Sequence, residues 1–306
     1  MDVRALKKSL HKAAFISSTL ILFVIALLAE TLYSAESSLV ASLYPEKVRE
    51  GEVCKVTVNS NKPLVYVRGD FNGRGINFSS SGSHNKFYAL MGIDMRLKPG
   101  RYDLVITARD KNRNTITRKV SISVLKRVFG VQQLTLPTHM VRLDEKTLKR
   151  VKSEKEKIGR IWAQETDTHE RLWDGQFAIP LAGKIVSEFG VSRIINGENR
   201  SPHSGIDLQA NHGTPVIASN SGRVALVGNF FLAGRSIVLD HGQGLYSMYF
   251  HLSKEVVGEG EEVRKGDTIG LVGSTGRASG PHLHWGIRLN GARVDPISLI
   301  QQTSSF

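Results

Sequence analysis

The stretch GPHLHWGIRL at residues 280–289 reads as a β-strand in which His282 and His284 share one face, because strand side chains alternate with a period of two. Similar short apolar runs punctuated by glycine occur upstream at 179–186, 214–227, 236–249 and 268–272. Together they predict a β domain over residues 177–306.

Within that domain His203, His251, His282 and His284 fall in three short segments: PHSGID (202–207), YFHL (249–252) and GPHLHW (280–285). Catalytic zinc takes three protein N or O ligands and keeps a fourth position for water, a demand that two imidazoles and one carboxylate meet. His203, Asp207 and His284 supply such a set. A base must then move the proton of the activated water. Metallopeptidases with HExxH use its glutamate, but the chain has no HExxH, which leaves His251 and His282 as candidates. An HxxxD or an HxH alone is a weak signal; the two in order, with YFHL between them, are a specific one.

These residues carry a resemblance. HSGID (203–207), GTPVIASNSGRV (213–224), YFHL (249–252), VRKGDTIG (263–270) and STGRASGPHLHWGI (274–287) are similar to the lysostaphin-type, or LytM-like, zinc metallopeptidases, which hydrolyse peptide bonds of bacterial peptidoglycan. The resemblance covers 177–306 and implies a compact antiparallel β domain with a groove over one Zn2+ held by His203, Asp207 and His284. It also implies that His251 and His282 orient water, shuttle protons and stabilise the tetrahedral intermediate, and that Arg193, in FGVSR, binds substrate. Some relatives have lost zinc ligands and activate other wall hydrolases by binding them. The complete ligand set weighs against that alternative, although the helical segment 144–173 or the loop 190–202 could cover an intact site. His212 and His241, in NHG and DHGQG, read as turn residues.

Outside this domain the chain offers no chemical motif. Its 306 residues suffice for two domains and connecting segments. A content of 41% hydrophobic and 23% charged residues excludes collagen-like and disordered classes. The single cysteine, Cys54, excludes an intramolecular disulfide and a thiolate cluster; alternation with Val56 and Val58 marks it as a buried apolar residue. Alternating runs at 53–58, 64–67, 87–90, 102–108 and 120–124, separated by Asn72-Gly73, Ser81-Gly82 and Pro99-Gly100, predict an immunoglobulin-like β-sandwich over 39–126, a spacer or binding module. His84 falls in its solvated loop SSSGSHNK. Residues 127–176 read as a linker whose 144–173 segment, with Leu148, Val151, Ile158, Trp162 and Leu172 at helical steps, forms an amphipathic helix carrying His169.

Arg4, Lys7, Lys8 and Lys12 precede an uncharged apolar stretch over 13–29. This pattern predicts that residues 1–35 are an export signal, either cleaved or retained as a membrane anchor, and that the rest faces the periplasm or outside. Tyr33 at the third position before a cleavage after Ala35 favours retention. The formal charge is +13, and the excess is N-terminal: residues 177–306 hold 11 Lys/Arg and 10 Asp/Glu, leaving 30 and 18 before them. Nucleic-acid binding is disfavoured by the export signal and the near-neutral last domain, so the basic surface is expected to meet anionic wall or membrane components.

Overall fold

The computed structural model describes residues 39–163, 170–199 and 201–304. The predicted signal or anchor at 1–35 and His169 lie outside them. No helix among the described residues is long and apolar enough to cross a membrane.

The N-terminal part is a two-sheet sandwich. Its strands are β1 (Leu39–Tyr44), β2 (Lys47–Arg49), β3 (Val53–Ser60), β4 (Leu64–Phe71), β5 (Arg74–Asn77), β6 (Ser79–Ser80), β7 (Lys86–Gly92), β8 (Gly100–Asp110) and β9 (Thr115–Leu125). One sheet has the order β1-β3-β7-β6 and the other β2-β9-β8-β4-β5. Inward residues of both close one core, including Val56, Val58, Leu64, Leu104, Ile106 and Ile122. Cys54 is buried in it as the alternation predicts, and burial pushes its thiol up to about 12.

A connector follows, with β10 (Val131–Leu134), α1 (Thr138–Val141) and α2 (Glu145–Ala163). Within the segment read as a linker, β10 pairs in parallel with residues Ser192–Ile195 of the C-terminal domain. The helix is shorter than predicted. Leu172 is extended, donating its N–H to the His241 carbonyl (2.9 Å), and Trp173 is buried in the next core. On α2, Ile158, Ile161 and Trp162 pack against Leu226, Phe230, Tyr246 and Met248, so its apolar stripe is satisfied by the sheet.

The C-terminal domain consists of β11 (Lys184–Ser187), β12 (Ser192–Ile195), β13 (Glu198–Asn199), β14 (Gly205–Gln209), β15 (Pro215–Ile217), β16 (Gly222–Phe230), β17 (Gly234–Asp240), β18 (Leu245–Glu255), β19 (Glu262–Val263), β20 (Thr268–Val272), β21 (His282–Leu289), β22 (Ala292–Val294) and α3 (Pro296–Thr303). Its main sheet runs β11-β14-β21-β18-β17-β16-β19, while β10, β12 and β13 form a separate three-stranded sheet. Leu283, Trp285 and Ile287 of β21 enter the main core, which leaves the alternate residues His282 and His284 on the opposite face.

The sandwich packs directly onto the C-terminal domain. Val53, Leu90 and Met95 belong to the same core as Trp285 and Leu299. Asp94 accepts from Arg293 through Nε (3.2 Å), Nη2 (2.8 Å) and the backbone N–H (3.0 Å). Val53 N–H donates to Ser298 Oγ on α3. At Gly92 a Cβ would lie 2.8 Å from the Leu289 carbonyl oxygen and 3.0 Å from Val294 Cγ1, so the close approach requires glycine there.

Candidate metal centre

Strand pairing assembles the centre. In the β14–β21 register Asp207 lies opposite His284 and Gln209 opposite His282. Gly205 permits this approach: a Cβ there would fall 2.3 Å from the Trp285 carbonyl oxygen. His203, just before β14, hands its backbone N–H to the Val191 carbonyl, and its ring comes in from the strand end.

His203 Nε2, Asp207 Oδ1 and His284 Nδ1 form a nearly equilateral triangle: 2.8 Å between the two nitrogens and 2.9 Å from each to the oxygen. All three residues are buried, and they form a group able to hold a metal ion. His203 Nδ1 is 2.9 Å from the Glu188 carbonyl. A carbonyl only accepts, so Nδ1 carries the proton and Nε2 presents a lone pair. That lone pair faces the Asp207 oxygen, an arrangement that favours a cation among the three atoms. An ion at the usual ~2.0–2.1 Å from N and O donors fits above the triangle, so the donor set fits a metal.

The surrounding groups set the charge. Burial works to raise the Asp207 carboxyl, but the adjoining His203 and His284 rings outweigh it and hold the group well below the usual carboxylate range. Arg193 Nη2 donates to Asp207 Oδ2 and also to Ser187 Oγ (3.1 Å). Burial pushes the His284 imidazole down to about 4. It is therefore neutral near pH 7, the form that ligates. Phe250 stacks on the His284 ring at 5.4 Å with planes 9° apart.

His251 and His282 stand together beside the triangle, ring centroids 4.8 Å apart. His251 Nδ1 is 2.8 Å from the Thr275 carbonyl and His282 Nδ1 is 2.8 Å from the Gly280 carbonyl. Both therefore protonate Nδ1 and leave Nε2 as acceptor. His251 reaches this face through an irregularity. Between the pairs Arg235↔Leu252 and Ile237↔Tyr249, β18 has one extra residue, and His251 takes φ +64°. Such a bulge re-aims a side chain. Burial, with His282 and His284 nearby, pushes the His251 imidazole down to about 3.

The sequence-predicted residues His203, Asp207, His284, His251, His282 and Arg193 thus meet at one place, with Arg193 on a candidate ligand. His241 sits at the turn after β17, as read from the sequence; it is also wholly buried, bonded at both nitrogens to Ser221 O and Ser247 Oγ (2.7 Å each). Sequence reasoning missed Ser187, Phe250 and Gln132, whose Oε1 accepts from Ser187 Oγ (3.1 Å). VQQLTL (131–136) alternates only from Leu134 onward, too little to mark β10 as a strand. Gln132, Leu134 and Leu136 line one side of a groove of about 350 Å³ that reaches Asp207, His251 and His282, with Arg277 and Pro281 also in its lining.

A family model described as peptidase family M23 matches residues 201–296. A Haemophilus influenzae protein named an uncharacterized metalloprotease is 38% identical over 146 residues, covering 46% of this chain and 30% of that protein. Peptidoglycan DD-endopeptidase ShyA of Vibrio cholerae is 35% identical over 138 residues, covering 45% and 32%. The chain thus spans about a third of the length of these curated relatives. The crystal structure of a candidate peptidase M23 from Pseudomonas aeruginosa superposes with TM-score 0.62 at 29% identity, over 84% of this chain and 96% of that one. The HxxxD at β14 and the HxH of β21 that build the triangle both fall inside the matched stretch, and with them this chain carries a peptidase family M23 domain.

Proposed function

We propose that the chain is a zinc-dependent endopeptidase that hydrolyses cross-link or stem peptides of peptidoglycan in the cell envelope. The observation that carries this reading is the triangle of His203 Nε2, Asp207 Oδ1 and His284 Nδ1 with two further imidazoles aimed at it. The substrate class rests on relatives such as the peptidoglycan DD-endopeptidase of Vibrio cholerae.

His203, Asp207 and His284 would hold the ion. When bound, zinc acidifies water and polarises a carbonyl. Nε2 of His251 or His282 accepts the proton of the attacking water and delivers it to the leaving amine. The carbonyl contacts of Thr275 and Gly280 keep both rings in the accepting tautomer. Arg193 and Ser187 hold Asp207 and His203 in position, as outer-shell partners do at metal sites. The groove walled by β10 and by the 277–281 segment receives an extended peptide. The basic N-terminal half would bring the protein to anionic wall or membrane surfaces.

We divide the chain into a sandwich over 39–126, a connector over 127–176 and a peptidase domain over 177–306. The sheet orders β1-β3-β7-β6 and β2-β9-β8-β4-β5 support an immunoglobulin-like sandwich, since β1-β3-β7-β6 corresponds to strands A-B-E-D and β9-β8-β4 to G-F-C. Digestion of isolated peptidoglycan with mass spectrometry of the fragments tests the function. New amine and carboxyl termini at one type of peptide bond are expected; release of sugar fragments alone would contradict it.

A further inference from the structure

A second cavity, of about 270 Å³, opens where the sandwich meets the C-terminal domain, lined by Phe71, Arg74, Asp94, Arg96, Leu97 and Arg293 among others. Three arginines and one aspartate are thus among its lining residues. The carboxylate is already engaged: Asp94 Oδ1 accepts from Arg293 Nη2 (2.8 Å) and Arg96 N–H (2.9 Å), and Oδ2 from Arg293 Nε and N–H. Arg74 on β5 and Arg96 after β7 therefore add two positive charges that no other acidic residue in the lining offsets.

The surplus extends behind the cavity. Burial, and then the charges of Arg293 and Arg74, push the Arg288 guanidinium down to about 10, which marks a cluster of like charge. Guanidinium groups stay ionised and present planar forks that match the two oxygens of a carboxylate or a phosphate. We infer that this junction cavity is a binding site for an oxyanion, a carboxylate or phosphate group, held by Arg74 and Arg96 with Arg293 beneath. The Asp94–Arg293 pair bridges the two domains, so an anion here binds where the sandwich is fastened to the peptidase domain. The site does not depend on the hydrolytic reading.

Calorimetric titration of the full chain at low salt, with inorganic phosphate and in parallel with citrate, tests it. At least one anion is expected to saturate a single site, and Arg74→Gln/Arg96→Gln to weaken it about tenfold or more, the scale of lost charge-assisted hydrogen bonds. Arg96→Gln alone, at an exposed side chain, should weaken it in the same direction should the double variant fold poorly. Arg118→Gln/Lys119→Gln removes the same charge elsewhere on the sandwich and should leave affinity within about twofold. Phosphate alone would assign a phosphate-bearing ligand, and citrate alone a carboxylate-bearing one. Saturation by neither, undiminished binding in the pocket variants, or an equal loss in the control pair would overturn the assignment.

Discussion

Asp207 Oδ1 and His284 Nδ1 face each other at 2.9 Å across the β14–β21 pair, on the face opposite the buried Leu283 and Trp285. The sheet register therefore carries the alignment of the candidate ligands, and the side chains need only their ordinary strand directions.

Arg193 is bonded to the Asp207 oxygen turned away from the triangle. Arg193→Gln should weaken zinc affinity about 10–100-fold, the usual effect of losing an outer-shell partner, while leaving the fold intact. Competition with a chromogenic chelator measures this; unchanged affinity would assign Arg193 to substrate alone.

His251 and His282 stand beside the triangle without being part of it. His251→Ala and His282→Ala should each keep one zinc per chain and lower turnover about 10²–10⁴-fold. Metal analysis alongside cleavage rates checks the pair, and loss of zinc from either variant would make that histidine a ligand.

The Asp94 carboxyl is held below its ordinary range: burial opposes ionisation, but hydrogen bonds from Arg293 outweigh it. A depressed folded value means the stabilisation is complete above the unfolded value of ~3.9 and is lost as pH falls through the folded one. The urea midpoint of Arg293→Gln should thus lie below wild type at pH 7, by about 1–3 kcal/mol in stability. The gap should shrink in acid, and a gap constant with pH would sink this account.

Cys54 is buried in the sandwich core with its thiol pushed up to about 12. Thiolate is the reactive form, so a disulfide reagent at pH 8 should leave the native protein unlabelled and modify it once urea unfolds the sandwich. Rapid native labelling would show that the sandwich opens.

Much of this was legible in the sequence because the ligands lie on or beside strands whose glycine-bounded alternation is plain. His282 and His284 share a face by periodicity alone, and Cys54 follows its valine neighbours inward. What escaped depends on long-range contacts. His251 reaches the site through a bulge opposite Ser236, which no local pattern encodes. Gln132 lies in a segment too short and polar to stand out, and becomes a strand only by pairing with β12. Leu172 fits a helical period, yet the His241 carbonyl and the core pocket of Trp173 draw it into an extended path. The docking of the sandwich rests on Gly92 and on Asp94 with Arg293, which are 199 residues apart.

The most direct test of the central claim is the rate of peptide-bond cleavage in isolated peptidoglycan by metal-stripped protein, before and after zinc is returned, for wild type and for His284→Ala. Restoration of cleavage by zinc in wild type and its absence in His284→Ala is the predicted result. Undiminished cleavage by wild-type protein whose metal content is verified as zero would contradict a metal centre at His203, Asp207 and His284.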